Sequence, residues 1–291
     1  MNDPRIATPV SNVASHTGWQ AKLSLGFSVK NQKTVLSHRQ QYGPLAVQRP
    51  FYPENNICHA YLLHPPGGVV GGDSLSIQTD VESHAHALIT TPGATKFYRS
   101  DNKWAKQTQL LSVAEQGILE WLPQENIFFS EAKVQLNTQI LLAENARFIG
   151  WEMHCFGRPS LNEGFEKGYL EGKTEIHIAG KKILIERLAL DGADSHFYIN
   201  GLQKFSLSAS LYITNNDPHA FEMVQMLLNT ICKQYHLFEL AIGVTQIEGL
   251  MVIRAFANWS ETILSVFVEI WQQVRYLWLN TVPEKPRIWA T

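Results

Sequence analysis

The feature that most constrains this chain is a long succession of short apolar runs, each broken by a cluster of Gly, Pro, Asn or Asp. Val, Ile, Leu, Tyr and Phe dominate residues 58–64, 75–81, 86–90, 134–142, 174–178 and 205–213. Punctuation of this kind reads as strands joined by turns. Over residues 205–213 the alternation is strict. Phe205, Leu207, Ala209, Leu211 and Ile213 share one face, and Ser206, Ser208, Ser210 and Tyr212 the other, as a two-residue period requires. Residues 162–172, rich in Gly and Glu, read as a loop. Helical signals come late. Asp217-Pro218 places an N-cap before a proline at the first helical position. Phe221, Val224, Leu227, Leu228 and Ile231 then recur at helical spacing. A second helix opens near Ser260. At about 100° per residue, Ile263, Leu264, Val266, Phe267, Ile270, Trp271, Val274, Leu277 and Trp278 fall within an arc of roughly 160°. Between the helices, residues 243–248 and 250–256 flank Gly249 as a hairpin. Many strands, then helix, hairpin and helix, predict a mainly β protein rather than alternating β-α-β units. Residues 1–15 read as a flexible tail before a single domain over residues 16–291.

Composition narrows the function classes. Hydrophobic residues make up 45% of the 291, enough to exclude disorder as the main state. Lys and Arg number 24 and Asp and Glu 26, so the net charge of −2 gives no basic footprint for nucleic acid. Charged residues are 17%, against about 25% in a typical soluble chain. A surface so poor in charge suits protein partners. Cys58, Cys155 and Cys232 form no C-x-x-C, so a reduced chain in the cytoplasm is expected. No apolar run approaches the roughly 18 residues of a membrane helix, and residues 1–13 lack the apolar core of a secretory leader.

Four segments carry chemistry-bearing residues. The first runs from His64 through Gly67, Gly68, Gly71 and Gly72 to Asp73. It lacks the Lys-Ser/Thr of a phosphate loop and continues as a strand, so paired tight turns are the simpler reading. In the second, Pro92-Gly93 marks a turn, and Lys96 and Arg99 are either solvated or paired with carboxylates in a cleft. His84 and His86, two apart in a strand-like run, point to one face and suit two metal positions. No third ligand is identifiable, and two outward-facing polar histidines explain them as well. The fourth gathers Glu152, His154, Cys155 and Arg158. Adjacent strand residues face opposite ways, so His154 and Cys155 are poorly placed to activate one another. Cys155 then reads as a small buried hydrophobe, while Glu152 and His154 share a face and can bind a divalent ion transiently. The sequence contains no H-E-x-x-H, G-x-S-x-G or GxGxxG. Two alternatives stay open: a β-scaffold hydrolase using Cys155, His154 and Glu152, and a plain β-rich binding module.

Several motifs in register resemble one family. They are Tyr42-Gly43-Pro44-Leu45, Gln48-Arg49-Pro50-Phe51-Tyr52-Pro53, the segment from His64 to Asp73, and Thr90 to Arg99. To these add Glu120-Trp121-Leu122-Pro123-Gln124-Glu125-Asn126-Ile127, and Trp151-Glu152 with Gly157-Arg158. Together they resemble the urease accessory protein UreD family, called UreH in some bacteria. The likeness covers residues 19–190 and is looser beyond. It implies a large stacked, β-helix-like sheet architecture with two helices in the C-terminal third. It implies a non-catalytic urease maturation factor that binds apo-urease and UreF, and through UreF the GTPase UreG. GTP is then used only through UreG, no cofactor is held tightly, and Ni²⁺ passes transiently through an internal water-filled tunnel. A dimeric complex is a further expectation. Transit candidates in the matching motifs are His64, Asp73 and Glu152, with less weight on His84 and His86. Gly67, Gly68, Gly72, Lys96, Arg99, Trp121 and Arg158 are the motif's supporting residues.

Overall fold

The computed structural model describes residues 18–194, 201–202, 204–215, 217–236 and 239–290. The expected tail at residues 1–15 lies outside them. The chain opens with a hairpin of β1 (Gln20–Lys30) and β2 (Lys33–Tyr42), then the short β3 (Ala46–Val47). Four coils follow. The first holds β4 (Cys58–Leu63) and β5 (Ser74–Val81). The second holds β6 (His86–Thr90), β7 (Thr95–Phe97) and β8 (Ala105–Val113). The third repeats this with β9 (Ile118–Leu122), β10 (Asn126–Phe128) and β11 (Lys133–Leu142), and the fourth has β12 (Arg147–Phe156) and β13 (Tyr169–Ile178). β14 (Lys181–Asp191) returns antiparallel along β13. After it come β15 (Leu207–Thr214), α1 (Pro218–Cys232), the hairpin β16 (Leu240–Ile247) and β17 (Leu250–Ala257), and α2 (Ser260–Leu279). The fold is therefore mainly β, a solenoid-like stack of about four turns with two helices.

Stacking the coils builds two facing sheets. One has seven strands in the order β14-β13-β11-β8-β5-β1-β2. The other has ten and runs β16-β17-β15-β12-β9-β6-β4-β3, with β10 and β7 beside β12. The coil strands pair in parallel, and side chains at matched positions form ladders. Cys58, Ala87, Leu119 and Phe148 make one such ladder, each fully buried between the sheets. The neighbouring ladder, His59, Leu88, Glu120 and Ile149, points the other way. There α1 and α2 cover the ten-stranded sheet and enclose a second apolar cluster containing Trp151, Phe267 and Trp271. Asp217 caps α1 by accepting from the His219 N–H at 2.9 Å, as its position before Pro218 predicts.

Four expectations need correction. Residues 169–172, expected in a loop, belong to β13, whose pairing with β11 begins at Tyr169. Phe205 precedes its strand, which starts at Leu207. On α2, Leu277 is exposed, while Val268 and Arg275 are buried. His84 does not share a strand face with His86. It sits at φ 63° in the corner turn closed by the Ala85 N–H on the Glu82 carbonyl. The next coil has the same corner, with Gln116 at φ 59° and the Gly117 N–H on the Ala114 carbonyl. His84 is thus a turn residue of the solenoid repeat.

Candidate functional site

The space between the sheets is not filled uniformly by apolar side chains. On the seven-stranded sheet one inward ladder reads Leu23, Ile77, Gln109, Thr138, Thr174 and Glu186. Polar residues thus replace aliphatic ones as the coils advance. On β12 the inward positions are Gly150, Glu152 and His154, and their antiparallel partners on β15 are Tyr212, Ser210 and Ser208. The alternation over residues 205–213 is therefore used twice. Its Leu face packs under the helices, and its Ser/Tyr face turns into the interior.

Two cavities lie between the sheets. The first, about 200 Å³, opens beside His64, Gly67, Gly68 and Lys96 and is walled by Gln107, Gln109, Trp121 and Thr138. The second, about 220 Å³, is lined by His154, Ser208, Ser210, Tyr212, Glu186 and Arg254. Glu152 and Leu136 line both. The Glu152 carboxyl accepts from the Thr138 hydroxyl at 2.6 Å and from the Thr174 hydroxyl at 2.7 Å. Burial raises its pKa, and the two hydroxyls oppose that rise. Burial drives His154 the other way, to about 4, so its imidazole is neutral near pH 7. Its Nδ1 lies 3.4 Å from the Asn126 amide. At the outer end of the second cavity Glu186 pairs with Arg254 at 2.5 Å and accepts from the Tyr212 hydroxyl. The buried Trp121 N–H has no partner among the described residues and lines the first cavity, a place for an ordered water or a ligand acceptor.

The remaining sequence candidates fall into three groups. His64 stands at the first opening, its pKa lowered by burial against the opposing charge of Asp73. Lys96 lines the same opening and is exposed; Arg99, on the following loop, is exposed, and among the described residues neither makes an ion pair. Asp73 does not line either cavity. Its two oxygens accept the Trp19 N–H at 2.8 Å and the Val70 N–H at 3.0 Å, tying the first strand to the glycine turns. Gly68 lies so close to Tyr98 that a Cβ would meet the ring at 2.2 Å, and Gly72 needs φ 96°. Arg158 pairs with Glu163 and lies 4.8 Å over the Phe129 ring, at a surface turn that lines neither of these two cavities. His86 lines neither cavity. Its Nε2 is 2.7 Å from the Glu120 carboxylate, under α2.

The side chains proposed for a hydrolase do not assemble. Cys155 is buried on the helix side of β12, and burial pushes its thiol up to about 12. His154 faces the opposite way, into the interior, as their adjacency in a strand requires. Among the described residues no three His, Cys, Asp or Glu side chains gather closely enough to hold a metal ion. All three cysteines are free. No described helix is long and apolar enough to cross a membrane.

Sequence reading missed the interior polar ladder. Its signal was present: Gln107 and Gln109 occupy inward positions between Ala105 and Leu111, where an aliphatic residue is the norm. It also missed Glu120 and Arg275. A carboxylate inside the run 118–122 and an arginine four residues after Trp271 on an apolar helix face are charges at core positions.

Comparison with known proteins identifies the family. The family model for the UreD urease accessory protein matches residues 20–290, so the likeness also includes the C-terminal helices. The urease accessory protein UreD of Aliivibrio fischeri (strain ES114) is 47% identical over 281 residues, covering 95% of this chain and 98% of that protein. The UreD of Vibrio parahaemolyticus is 48% identical over 278 residues, covering 96% and 98%. That of Escherichia coli is 46% identical over 279 residues, covering 95% and 99%. This chain belongs to the UreD urease accessory protein family.

Proposed function

We propose that this chain is a non-catalytic urease maturation factor whose interior carries Ni²⁺, as cargo, toward apo-urease. The observation that carries the reading is Glu152, a partly buried carboxylate that lines two cavities between the sheets, in a chain matched along its length by UreD proteins. The donor set suits passage rather than storage. Hydroxyls, amides and the carboxylates Glu152 and Glu186 hold a hydrated cation weakly, whereas a thiolate cluster would retain it. A conduit needs sites that are entered and left in sequence. His64 at one opening, Glu152 lining both cavities and neutral His154 in the second supply such a series. Asp73 supports the opening through the backbone rather than by facing the cargo.

In this reading UreF docks on the chain and brings UreG, which hydrolyses GTP. The chain itself turns over neither GTP nor urea, and it works in the cytoplasm as part of a dimeric complex. The test compares urease made with and without this chain in nickel-limited cells. The reading expects urease made without it to contain little nickel and little activity. Fully metallated urease in its absence would end the proposal.

A further inference from the structure

Position 254 breaks the pattern of its strand. On β17 Ile253, Ala255 and Ala257 pack under the helices, while Val252 and Phe256 pack on the core between the sheets. Arg254 lies between those two, so a guanidinium occupies an inward position. The register explains what it meets. Glu152, Ser210, Arg254 and Gly243 form one ladder across β12, β15, β17 and β16. On the facing sheet Thr138, Thr174 and Glu186 form another. Glu152 bonds to the two threonines, and Arg254 bonds to Glu186. The ion pair therefore stands two strands beyond Glu152, about 10 Å along the stack. Both of its members line the second cavity, as Glu152 does. Lys173 and Arg187 line it as well, but they alternate with Thr174 and Glu186 and so point to the outer face. Among the described residues Arg254 is the one cationic side chain turned into this cavity.

Two features set this pair apart from a fixed tie. The first is that it blocks a carboxylate. Nε and Nη2 of Arg254 both approach one Glu186 oxygen at 2.5 Å, while the other oxygen accepts from the Tyr212 hydroxyl. A carboxylate so held is closed to a divalent cation, and the guanidinium itself repels one. The second is that the pair can open. The Arg254 side chain is 45% exposed, and an ion pair at a solvated edge is weakly held. Its neighbour on the edge strand β16 is Gly243, where a Cβ would meet no atom within 4 Å. The arginine side chain has room to swing there. The Thr245 hydroxyl, 3.4 Å from Nη1, lies on the same strand.

The geometry points to Arg254 as the gate of the second cavity: it withholds Glu186 from a divalent cation leaving Glu152, and releases it by swinging over Gly243. The inference rests on the reading of the interior as a Ni²⁺ path. Its test follows nickel per urease over time, by elemental analysis, in apo-urease mixed with purified UreF, UreG, GTP, Ni²⁺ and the full chain. Arg254→Met is expected to raise the initial rate of nickel transfer by about threefold or more. Arg254→Gln is expected to do the same through a second neutral side chain. Arg254→Lys keeps the charge and is expected to stay near wild type. Glu186→Gln removes the carboxylate but leaves the guanidinium in the cavity, and is expected to lower the rate by about threefold or more. A bond that merely braced the fold would send the Arg254 and Glu186 variants in the same direction. If wild type loads urease but these rates fall together, or do not change, the inference is overturned and the maturation reading stands. If wild type transfers no more nickel than a mixture lacking the chain, both fail.

Discussion

Arg275 is 1% exposed and reaches two carboxylates across the outer face of the ten-stranded sheet, Glu120 and Glu54. Trp271 donates to Glu120 at 2.8 Å, and His59 pairs with Glu54 at 3.0 Å. Burial alone would raise the Glu120 pKa. The guanidinium and the His86 bond outweigh it and hold the carboxyl at about 2. Arg275→Met leaves the buried Glu120 and the partly buried Glu54 without the guanidinium, and denaturant titration should show a loss of about 3–5 kcal/mol. The acid side of the stability curve is a second expectation. His154 takes its proton near pH 6.5 in the unfolded chain but only near 4 in the native one. Stability is therefore lost as pH falls through that window, with His86, also lowered by burial, adding the same sign. His154→Asn should flatten the slope between pH 6.5 and 4. Glu152 acts oppositely, because its raised pKa costs stability as pH rises past 4.5. Glu152→Gln should thus be at least as stable as wild type at pH 7 in thermal melts. Residue identities at caps and turns were readable because their partners are local, as at Asp217. Arg275 was not, since its partners lie more than 150 residues away.

At the scale of elements, α2 joins the sheet through Ile263, Val266, Phe267, Ile270, Trp271 and Val274, all buried. Trp289 folds back behind it, meets the Trp271 ring edge-on and the Trp151 ring at a tilt, and donates to the Thr90 hydroxyl at 2.9 Å. Phe267→Asp or Trp271→Asp puts a charge in this layer. Soluble yield should collapse, whereas Ser265→Asp, on the exposed face, should shift stability by no more than about 0.5 kcal/mol. A soluble Phe267→Asp chain with wild-type melting would mean that α2 is not a core element. Helical periodicity revealed most of this face from sequence. The end of the helix was misjudged because Leu277 lies past the sheet, a boundary that periodicity does not carry. His84 was misjudged for a related reason. A strand-like run and a turn plus strand look alike until the corner repeat is seen in three dimensions.

At the scale of the molecule, the order of elements was legible, and the coil geometry came from family resemblance rather than from periodicity. Parallel ladders join residues about 30 apart, and no single run announces its partner. The Glu152 site is a property of that stacking: Thr138 and Thr174 meet Glu152 only because successive coils bring them level. A chain of net charge −2 with exposed Trp19, Tyr42 and Trp259 has little colloidal protection. Expressed alone it should aggregate on size-exclusion chromatography, and co-expressed UreF should restore a discrete peak. The most direct measurement of the central claim is nickel content in urease reconstituted from purified components with wild type or Glu152→Leu. Partner binding should be equal for the two chains, while nickel per urease falls at least severalfold with the variant. Equal nickel loading by both would contradict transit past Glu152.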